Sequence, residues 1–265
     1  MSEYLENKWD VIRYEDGIFT EFTDEISTEY PLTVNVNGEE FATIVCSPSH
    51  LRELVIGFLA AEGAILFYDD ILSIQIDESA GFAYVELKRP LEKAKEMHSK
   101  RFIGSCCGKS RQFYFQADVQ TAKTVMSKLR ILPEQCLQLM HQMQEQSNAF
   151  IRTGGIHNAA LATTDELLAI KTDIGRHNTL DKIYGDILEN RISIRDKVIV
   201  FSGRISSEVL LKISKIGIGI IISKSAPTDL ALELADDLGI TAIGFTRGNK
   251  MNIYTHPERI SGARA

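Results

Sequence analysis

Three short apolar runs, each followed by a polar loop, dominate the last third of the chain. They are KVIVFS (residues 197–202), IGIIIS (218–223) and ITAIGFT (240–246). Their length and their β-branched content are typical of strands that are buried on both faces of a sheet. Amphipathic helical patterns follow the first two runs, and such an alternation requires parallel strands joined by crossovers. The sequence therefore predicts an α/β fold whose sheet is covered by helices on both sides.

The loops after these three predicted strands have a shared composition. They read SGRISS, SKSAPT and FTRGNK, and each combines Arg or Lys with small or hydroxyl residues. Ligands of parallel sheets bind at the carboxyl ends of the strands, and a helix N-terminus beside a guanidinium favours an anion. SGRISS therefore favours anion binding, and FTRGNK suits phosphate and base recognition. The alternatives are that Ser206 only caps a helix, that SAPT is a capped helix start, and that FTRGNK is a solvated turn.

Two further segments combine glycine with histidine and asparagine. RTGGIHNAAL places His157 and Asn158 after two glycines, and KTDIGRHNTLDKI places Arg176 and His177 before an amphipathic helix. A single histidine is more often a structural residue, and that alternative applies to each segment. Because two of only six histidines lie in matched turns, with Asp173 nearby, we expect both segments to belong to the functional site.

The first hundred residues follow a different pattern. Asn37-Gly38 joins two alternating runs within residues 31–46 and predicts a β-hairpin. PSHLRELVIGFLAAEGAI has the apolar spacing of an amphipathic helix that Gly63 can end. ILSIQID and FAYVELKR predict a second pair of strands. We therefore expect a smaller α+β subdomain in residues 1–115 and the α/β domain in residues 116–265.

Residues 117–150 connect these two parts of the chain. They carry two helical patterns that divide near Leu132-Pro133, where proline interrupts the helical repeat. The stretch HQMQEQSN is rich in glutamine, which indicates a solvated helix face.

The overall charge and hydropathy argue against several classes of protein. The formal net charge is −7, whereas proteins that track nucleic acids or membrane surfaces generally carry a basic excess. The N-terminal stretch MSEYLENKWD has no secretory signal character, and no apolar run is long enough to span a bilayer. We expect a cytoplasmic protein with no nucleic-acid or membrane partner, in which thiols stay reduced.

Two of the four cysteines, Cys106 and Cys107, are adjacent in the segment FIGSCCGKS. A P-loop requires four residues between its first glycine and Gly-Lys-Ser, but only three separate Gly104 from Gly108, and no strand of parallel-sheet character is evident before them. A deaminase zinc site needs His-x-Glu and Cys-x-x-Cys, which the sequence lacks, so we expect no such metal. A disulfide between neighbours strains the backbone. The remaining interpretations are one nucleophilic or carrier thiolate, favoured by Lys109, and two buried inert cysteines.

Six ordered motifs together resemble the FdhD family, the accessory sulfurtransferases of formate dehydrogenase. The motifs are SCCGKS, TGGIHNAA, DIGRHNTLDK, SGRISSE, SAPTDLALELA and FTRGNKMNIY, and GFLAAEGAI fits the family's early helix. The likeness runs from about residue 30 to 255. It implies a cytidine-deaminase-like three-layer α/β/α domain with a smaller N-terminal α+β subdomain, and a cytoplasmic homodimer.

The resemblance also implies a reaction. Family members take sulfur as a persulfide from a cysteine desulfurase and deliver it to the molybdenum cofactor, bis-molybdopterin guanine dinucleotide, on which formate dehydrogenase activity depends. The alternative is a non-catalytic chaperone that binds this cofactor and docks on apo-formate dehydrogenase, with the cysteines incidental. GDP is the expected mimic of the cofactor's terminus.

The carrier cysteine of the family opens a Cys-x-x-Cys motif. Cys107 matches its first position, Ser110 stands where the family has the second cysteine, and Cys106 is the other possible match. With serine at the second position, at most Cys106 could serve as the partner in a relay between two cysteines.

The family's cofactor-binding segment matches six consecutive residues: Phe245, Thr246, Arg247, Gly248, Asn249 and Lys250. Within the implied site, we expect Arg204, Arg247 and Lys250 to contact phosphates, and Asn249 a polar edge of the ligand. His157, Arg176 and His177 are expected to contact the cofactor or to shape the dimer site.

Overall fold

A computed structural model describes residues 6–89, 102–103, 122–147 and 153–263. In these residues the strands, in chain order, are β1 (Glu6–Glu15), β2 (Ile18–Ser27), β3 (Tyr30–Val36), β4 (Glu39–Cys46), β5 (Ile71–Asp77), β6 (Phe82–Leu87), β7 (Phe102–Ile103), β8 (His157–Ala162), β9 (Leu167–Asp173), β10 (Val198–Phe201), β11 (Ile220–Ser223), β12 (Thr241–Arg247) and β13 (Lys250–Ile253). The α-helices are α1 (Leu51–Ala61), α2 (Pro133–Glu145), α3 (Arg176–Glu189), α4 (Ser207–Ile216) and α5 (Asp229–Asp237).

The C-terminal part of the chain forms a six-stranded sheet in the order β13-β12-β11-β10-β8-β9. Strands β10, β11 and β12 are parallel, as their apolar runs predict. The strands directly next to this trio, β8 and β13, run antiparallel to it, and β8 also forms an antiparallel hairpin with the edge strand β9. The sheet is therefore mixed, with the predicted parallel strands at its centre.

Helices cover both faces of this sheet, which confirms a mixed α/β fold. One core cluster joins the sheet to α3, α4 and α5 through residues such as Leu180, Ile213 and Ala235. A second cluster joins the opposite face to α2 through Leu139 and Met140. The sequence predicts this layering because buried strands need apolar cover on both sides. The specific likeness to cytidine deaminases stays a prediction.

The N-terminal part forms a five-stranded sheet in the order β5-β6-β3-β4-β7. The predicted hairpin turn is confirmed, since Asn37 and Gly38 both have positive φ, 52° and 81°, between β3 and β4. Helix α1 packs on this sheet, and Gly63 follows its end with a φ of 75°. The second predicted strand pair is also confirmed, as β5 and β6 pair antiparallel.

Close contact between α1 and α3 joins the two sheets. A Cβ on Gly57 would lie 1.8 Å from the carbonyl oxygen of Asp181, and one on Gly185 would lie 1.9 Å from that of Glu53. Only glycine permits this backbone approach. The expected boundary between residues 115 and 116 lies outside the described residues and stays a prediction.

Several local expectations were wrong. Residues 122–130, the described part of the first helical pattern before Leu132, contain no helix. Strand β7 pairs parallel to β4, so a short parallel strand does precede Gly104, although the glycine spacing still differs from that of a P-loop. His157 begins a strand rather than lying in a turn, and Arg176 begins helix α3. Across the described residues, no helix combines the length and apolar character needed to span a membrane.

Strands β1 and β2 form a separate two-stranded antiparallel sheet, called the ribbon below. Its turn is Asp16-Gly17, with φ values of 49° and 86°. Asp-Gly between two alternating runs is a strong hairpin signal, so the sequence itself specifies this turn.

Candidate functional site

Strand register brings the predicted site loops to one edge of the six-stranded sheet. The parallel strands β10, β11 and β12 end at the same edge, and β8 begins there because Ala159 pairs with Phe201. Strand β9 ends beside the start of β8, since Asp173 pairs with His157. Five segments therefore meet at this edge, which we call the sheet edge: residues 153–158, 173–178, 202–207, 223–229 and 245–250.

Hydrogen bonds link neighbouring loops along the sheet edge. The backbone N–H of Asn158 donates to Ser202 Oγ at 2.9 Å, and Ser225 Oγ donates to the carbonyl of Ser202 at 2.9 Å. The backbone N–H of Phe245 donates to the carbonyl of Ser225 at 3.1 Å. These bonds fix the relative positions of loops that lie far apart in sequence. Ser202 is a connecting residue that the sequence did not single out.

Arg176 and His157 lie close together at the sheet edge. Burial lowers the pKa of His157, and the positive charge of Arg176 lowers it further. Gly203 leaves room for close packing here, because a Cβ on this glycine would lie 2.9 Å from Cζ of Phe201 and 3.3 Å from the Cβ of Arg176. Two polar atoms here, Arg176 Nε and Asn158 Oδ1, are buried without a hydrogen-bond partner. Orphaned buried atoms of this kind are suited to meet groups of a bound ligand.

His177 connects the first turns of two helices. Its Nε2 lies 3.0 Å from Glu208 Oε2, so the start of α3 is tied to the start of α4. Ser206 is the N-cap of α4, and its hydroxyl accepts from the backbone N–H of Val209 at 3.4 Å. Ser206 therefore caps helix α4, and anion binding by this loop stays a prediction. The neighbouring Arg204 is exposed at the sheet edge.

The segment FTRGNK is the tip of a β-hairpin, not a free loop after a strand. Strand β12 extends to Arg247, and Gly248 and Asn249 form the turn before Lys250. The register shifts before Arg247, and Phe245 within this bulge has a φ of 52° and is 38% exposed. A positive φ is rare for a bulky residue, and such strain is often found at ligand sites.

Side chains of this hairpin alternate between the interior and solvent. Thr246 is fully buried, and its hydroxyl has no hydrogen-bond partner. Arg247 is exposed, with its Nε donating to the carbonyl of Lys224 at 3.0 Å and its guanidinium 5.7 Å from the ring centroid of Phe245. Asn249 and Lys250 are also exposed. The hairpin thus presents cations, an amide and an aromatic ring to solvent, and guanidinium and ammonium groups of this kind can bind anionic groups.

A buried ion pair supports the start of helix α3. Lys182 Nζ lies 2.7 Å from Asp173 Oδ2, and both side chains are fully buried. Asp173 also accepts from the backbone N–H of Gly175 at 2.8 Å and from Asn178 Nδ2 at 2.8 Å. Sequence inspection noted Asp173 but missed Lys182, which lies inside an ordinary amphipathic helix pattern.

The same carboxylate holds the N-terminal sheet against the sheet edge. The backbone N–H of Ser47, directly after β4, donates to Asp173 Oδ2 at 3.0 Å, and Ser47 Oγ accepts from the N–H of Ile174 at 3.1 Å. Strand β7 is parallel to β4, with Ile103 beside Ile44. Both strands therefore run toward the end of the N-terminal sheet that touches the sheet edge.

The predicted carrier cysteines, Cys106 and Cys107, lie outside the described residues. The two described cysteines, Cys46 and Cys136, are fully buried. Burial raises the pKa of both thiols, that of Cys136 to about 12. Thiols of this kind are poor nucleophiles at neutral pH. In the described part of the chain, no group of three or more His, Cys, Asp or Glu side chains could hold a metal ion.

Comparison with known proteins gives a consistent assignment. The model of the FdhD/NarQ family matches residues 27–261. Proteins named sulfur carrier protein FdhD are similar to this chain: that of Bacillus subtilis is 60% identical over 251 residues, which cover 95% of this chain and 96% of the relative. That of Geobacillus kaustophilus is 56% identical over 260 residues, covering 98% and 99%.

A solved structure shares the fold. The crystal structure of a protein described as a formate dehydrogenase accessory protein from Desulfotalea psychrophila matches with a TM-score of 0.79 at 24% sequence identity. The match covers 97% of this chain and 99% of that one. With the family match over most of its length and relatives above half identity, the chain belongs to the FdhD/NarQ family.

Proposed function

We propose that this protein is a sulfur carrier that moves persulfide sulfur from a cysteine desulfurase to the molybdenum cofactor used by formate dehydrogenase. The single observation that carries the proposal is the convergence of five loops, with their cations, on one sheet edge that touches the N-terminal sheet next to β7. Strand β7 ends three residues before Cys106. A sulfur carrier needs both a thiolate segment and a site for an anionic acceptor, and this architecture supports their proximity.

In this proposal Cys107 provides the reacting thiolate, and Cys106 lies next to it in the sequence. Of the four cysteines, Cys46 and Cys136 are buried thiols with raised pKa values, which leaves the adjacent pair for reaction. The Cys107 thiolate attacks the terminal sulfur of the desulfurase persulfide. The desulfurase cysteine leaves as a thiolate, and Cys107 becomes the persulfide, with no net oxidation. Ser110 supplies no second thiol at the following motif position.

The acceptor in this proposal is bis-molybdopterin guanine dinucleotide, bound as a substrate. Its phosphates are held by Arg204, Arg247 and Lys250, whose cations lie on loops of the same edge. Asn249 contacts a polar edge of the nucleotide, and Phe245 presents a partly exposed ring. Gly248 has a φ of 55° and provides the tight turn between these groups. Thr246 is fully buried, and its hydroxyl, which has no hydrogen-bond partner, lies on the interior side of the hairpin.

The remaining residues of the predicted site contribute hydrogen bonds, charge or positioning. His157 is held neutral by its lowered pKa, so it donates and accepts hydrogen bonds without adding charge. Arg176 adds a cation to the same edge, and His177 positions the helix starts through Glu208. In the cell, the proposal places the protein in the cytoplasm as a homodimer that contacts a cysteine desulfurase and formate dehydrogenase.

Transfer of labelled persulfide tests the proposal. The protein is incubated with a cysteine desulfurase, free cysteine and a persulfide-selective reagent, and the labelled residue is identified by mass spectrometry. We expect the label on Cys107, its loss in Cys107→Ala, and full labelling of the control Cys136→Ala. Equal labelling of Cys107→Ala and the unaltered protein contradicts the carrier assignment.

Activation of formate dehydrogenase separates the carrier from a cofactor chaperone. The carrier function predicts that Cys107→Ala fails to activate the apo-enzyme although it still binds GDP. If this variant activates the enzyme as well as the unaltered protein does, the chain acts as a non-catalytic chaperone. The cationic sheet edge is common to both functions, so only the thiol variants distinguish them.

A further inference from the structure

The ribbon carries an unusual concentration of exposed apolar side chains. Trp9, Ile12, Tyr14, Ile18 and Phe19 are each between 64% and 71% exposed. Its contact with the described body lies near its base, where Ser27 Oγ donates to Thr153 Oγ1 at 2.9 Å. Both outer edges of the ribbon are unpaired in the described sheets. An isolated two-stranded sheet is at best marginally stable in water, so this surface needs a cover.

The strand register divides the ribbon into two unlike faces. Residues paired across antiparallel strands point to the same side, and side chains alternate along each strand. One face, called the Trp9 face, carries apolar residues at its middle and toward both ends, namely Trp9, Val11, Ile18, Phe22 and Ile26, interspersed with polar ones. The opposite face, called the Tyr14 face, is apolar only near the turn: Ile12, Tyr14 and Phe19.

Charge also distinguishes the two faces. The Trp9 face carries Arg13 against Glu15 and Asp24, and Arg13 already lies 3.9 Å from the centroid of the Phe22 ring. Between positions 8 and 25, the Tyr14 face carries three carboxylates, at positions 10, 21 and 25, and the single cation Lys8. Two copies of the Tyr14 face would repel each other. Two copies of the Trp9 face would not, which makes this face suited to self-association.

We propose that the Trp9 face packs on the Trp9 face of a second copy, around a two-fold axis at the level of Val11 and Phe22. These two residues are a cross-strand pair. The next pairs on the same face lie two positions away along each strand, Trp9 with Asp24 on one side and Arg13 with Thr20 on the other. Each such pair is called a level below. A two-fold axis across the strands places Val11 against Val11 and Phe22 against Phe22. A self-contacting residue on the axis is the mark of an isologous interface.

The levels on either side of the axis are also complementary. The rotation places Arg13 against Trp9 of the second copy, a cation over an aromatic ring. It places Asp24 against Thr20, which can donate a hydrogen bond to the carboxylate. At the ends it places Ile18 against Ile26, so apolar contacts close both sides of the interface. No level brings like charges together.

The chain contains a single tryptophan, so Trp9 reports directly on this interface. In the full-length protein, we expect sedimentation to show a dimer that dissociates on dilution. Over the same concentrations, Trp9 fluorescence should shift to longer wavelength and become accessible to a soluble quencher. Shielding of Trp9 that does not depend on concentration would assign the cover to the same chain and overturn the proposal. A monomer with exposed Trp9 at every concentration would overturn it as well.

Two adjacent residues provide matched variants. Val11→Lys puts like charges opposite each other on the axis, and we expect the dimer to dissociate at a concentration at least tenfold higher. Ile12→Lys makes the same change on the Tyr14 face, where Ile12 is 71% exposed, and should leave the dimer intact. Equal effects of the two variants, or no effect of Val11→Lys, would exclude the Trp9 face as the interface.

A milder pair of variants guards against loss of the ribbon fold. In a background with Cys106 and Cys107 changed to serine, Val11→Cys should be cross-linked between copies by a short bismaleimide, because packed sheets lie about 10 Å apart. Ile12→Cys should give only singly labelled monomers. Cross-linking through position 12 but not position 11 would contradict the proposal. These readouts measure association alone, so they succeed or fail independently of sulfur transfer.

Discussion

Lys182 Nζ lies 2.7 Å from Asp173 Oδ2 in a pair of side chains that are both fully buried. Asp173 accepts from Ser47 of the N-terminal sheet and from Gly175 and Asn178 at the start of α3. Lys182 also donates to the carbonyl of Thr172 at 2.9 Å. One ion pair therefore holds the sheet edge, the first turn of α3 and the N-terminal sheet in a fixed arrangement.

Removing one partner of this pair should be strongly destabilising. Lys182→Met leaves the Asp173 carboxylate buried without its cation, which costs about 3–5 kcal/mol in comparable proteins. Urea unfolding measures the loss. The double variant Asp173→Asn with Lys182→Met should recover only part of it, because the charge is removed but the new amide NH2 faces the Ser47 N–H from which Asp173 accepts. A double variant that is less stable than Lys182→Met alone would contradict this account.

The close approach of α1 and α3 predicts that alanine is not tolerated there. A methyl group at Gly57 or Gly185 meets a backbone carbonyl carbon or oxygen at less than 3 Å, so the helices must separate. Alanine normally stabilises a helix by about 1 kcal/mol relative to glycine. We nevertheless expect Gly57→Ala and Gly185→Ala to lower the free energy of unfolding by about 1–3 kcal/mol. Unchanged or increased stability in urea unfolding would show that the helices do not pack as described.

Thiol reactivity should divide the four cysteines into two classes. Cys46 and Cys136 are fully buried with raised thiol pKa values, so a maleimide should not modify them in the folded protein. Native labelling followed by mass spectrometry checks this for each residue. In the variant with Cys106 and Cys107 changed to serine, we expect no native labelling and two labels after unfolding. Rapid native labelling of Cys136 would contradict its burial.

Binding of GDP should depend on the tip of the β12–β13 hairpin. Loss of one charge-assisted hydrogen bond costs about 1.5–3 kcal/mol, so Arg247→Ala or Lys250→Ala should weaken binding roughly 10- to 100-fold. Calorimetry at fixed ionic strength measures the change. Arg191→Ala is the matched control, because this arginine is also exposed but pairs with Asp69 away from the sheet edge. Equal losses in all three variants would indicate a general charge effect rather than a site.

Folding stability should decrease as the pH falls through about 6.5. The pKa of His157 is lowered by burial, and that of His50 is lowered in the same way, so both accept protons more readily in the unfolded chain. The unfolded state is therefore favoured once the pH drops below the ordinary histidine pKa of about 6.5, and the loss ends below the folded-state pKa. Urea unfolding at several pH values measures the slope.

Replacing His157 by a residue that does not titrate supplies the control for this effect. His157→Gln should reduce the slope between pH 7 and pH 5 without abolishing it, because His50 still contributes. Exposed His141 provides the comparison variant, since it lies on the solvent face of α2. A slope that is unchanged in His157→Gln would show that this histidine is not held neutral by the fold.

Local sequence patterns predicted most of the secondary structure near the site. Apolar runs gave the parallel strands β10 to β12, Asn37-Gly38 gave the first hairpin of the N-terminal sheet, and helical spacing gave α1 and α3. The turn Asp16-Gly17 contains the same kind of signal for the ribbon. These features are readable because their determinants lie within a few residues of one another, where backbone preference and side-chain periodicity act directly.

By itself, the sequence determined which loops carry cations and histidines, that Cys106 and Cys107 are adjacent, and that three buried strands lie parallel. The tertiary structure decided that the β8–β9 hairpin lies beside them with β8 antiparallel to β10, which brings His157 and Arg176 to the same edge as Arg247. It also decided that Asp173 bonds to Ser47, 126 residues away in the chain. Such contacts depend on strand register and on helix approach at Gly57, and both arise only when distant segments bury their apolar faces together.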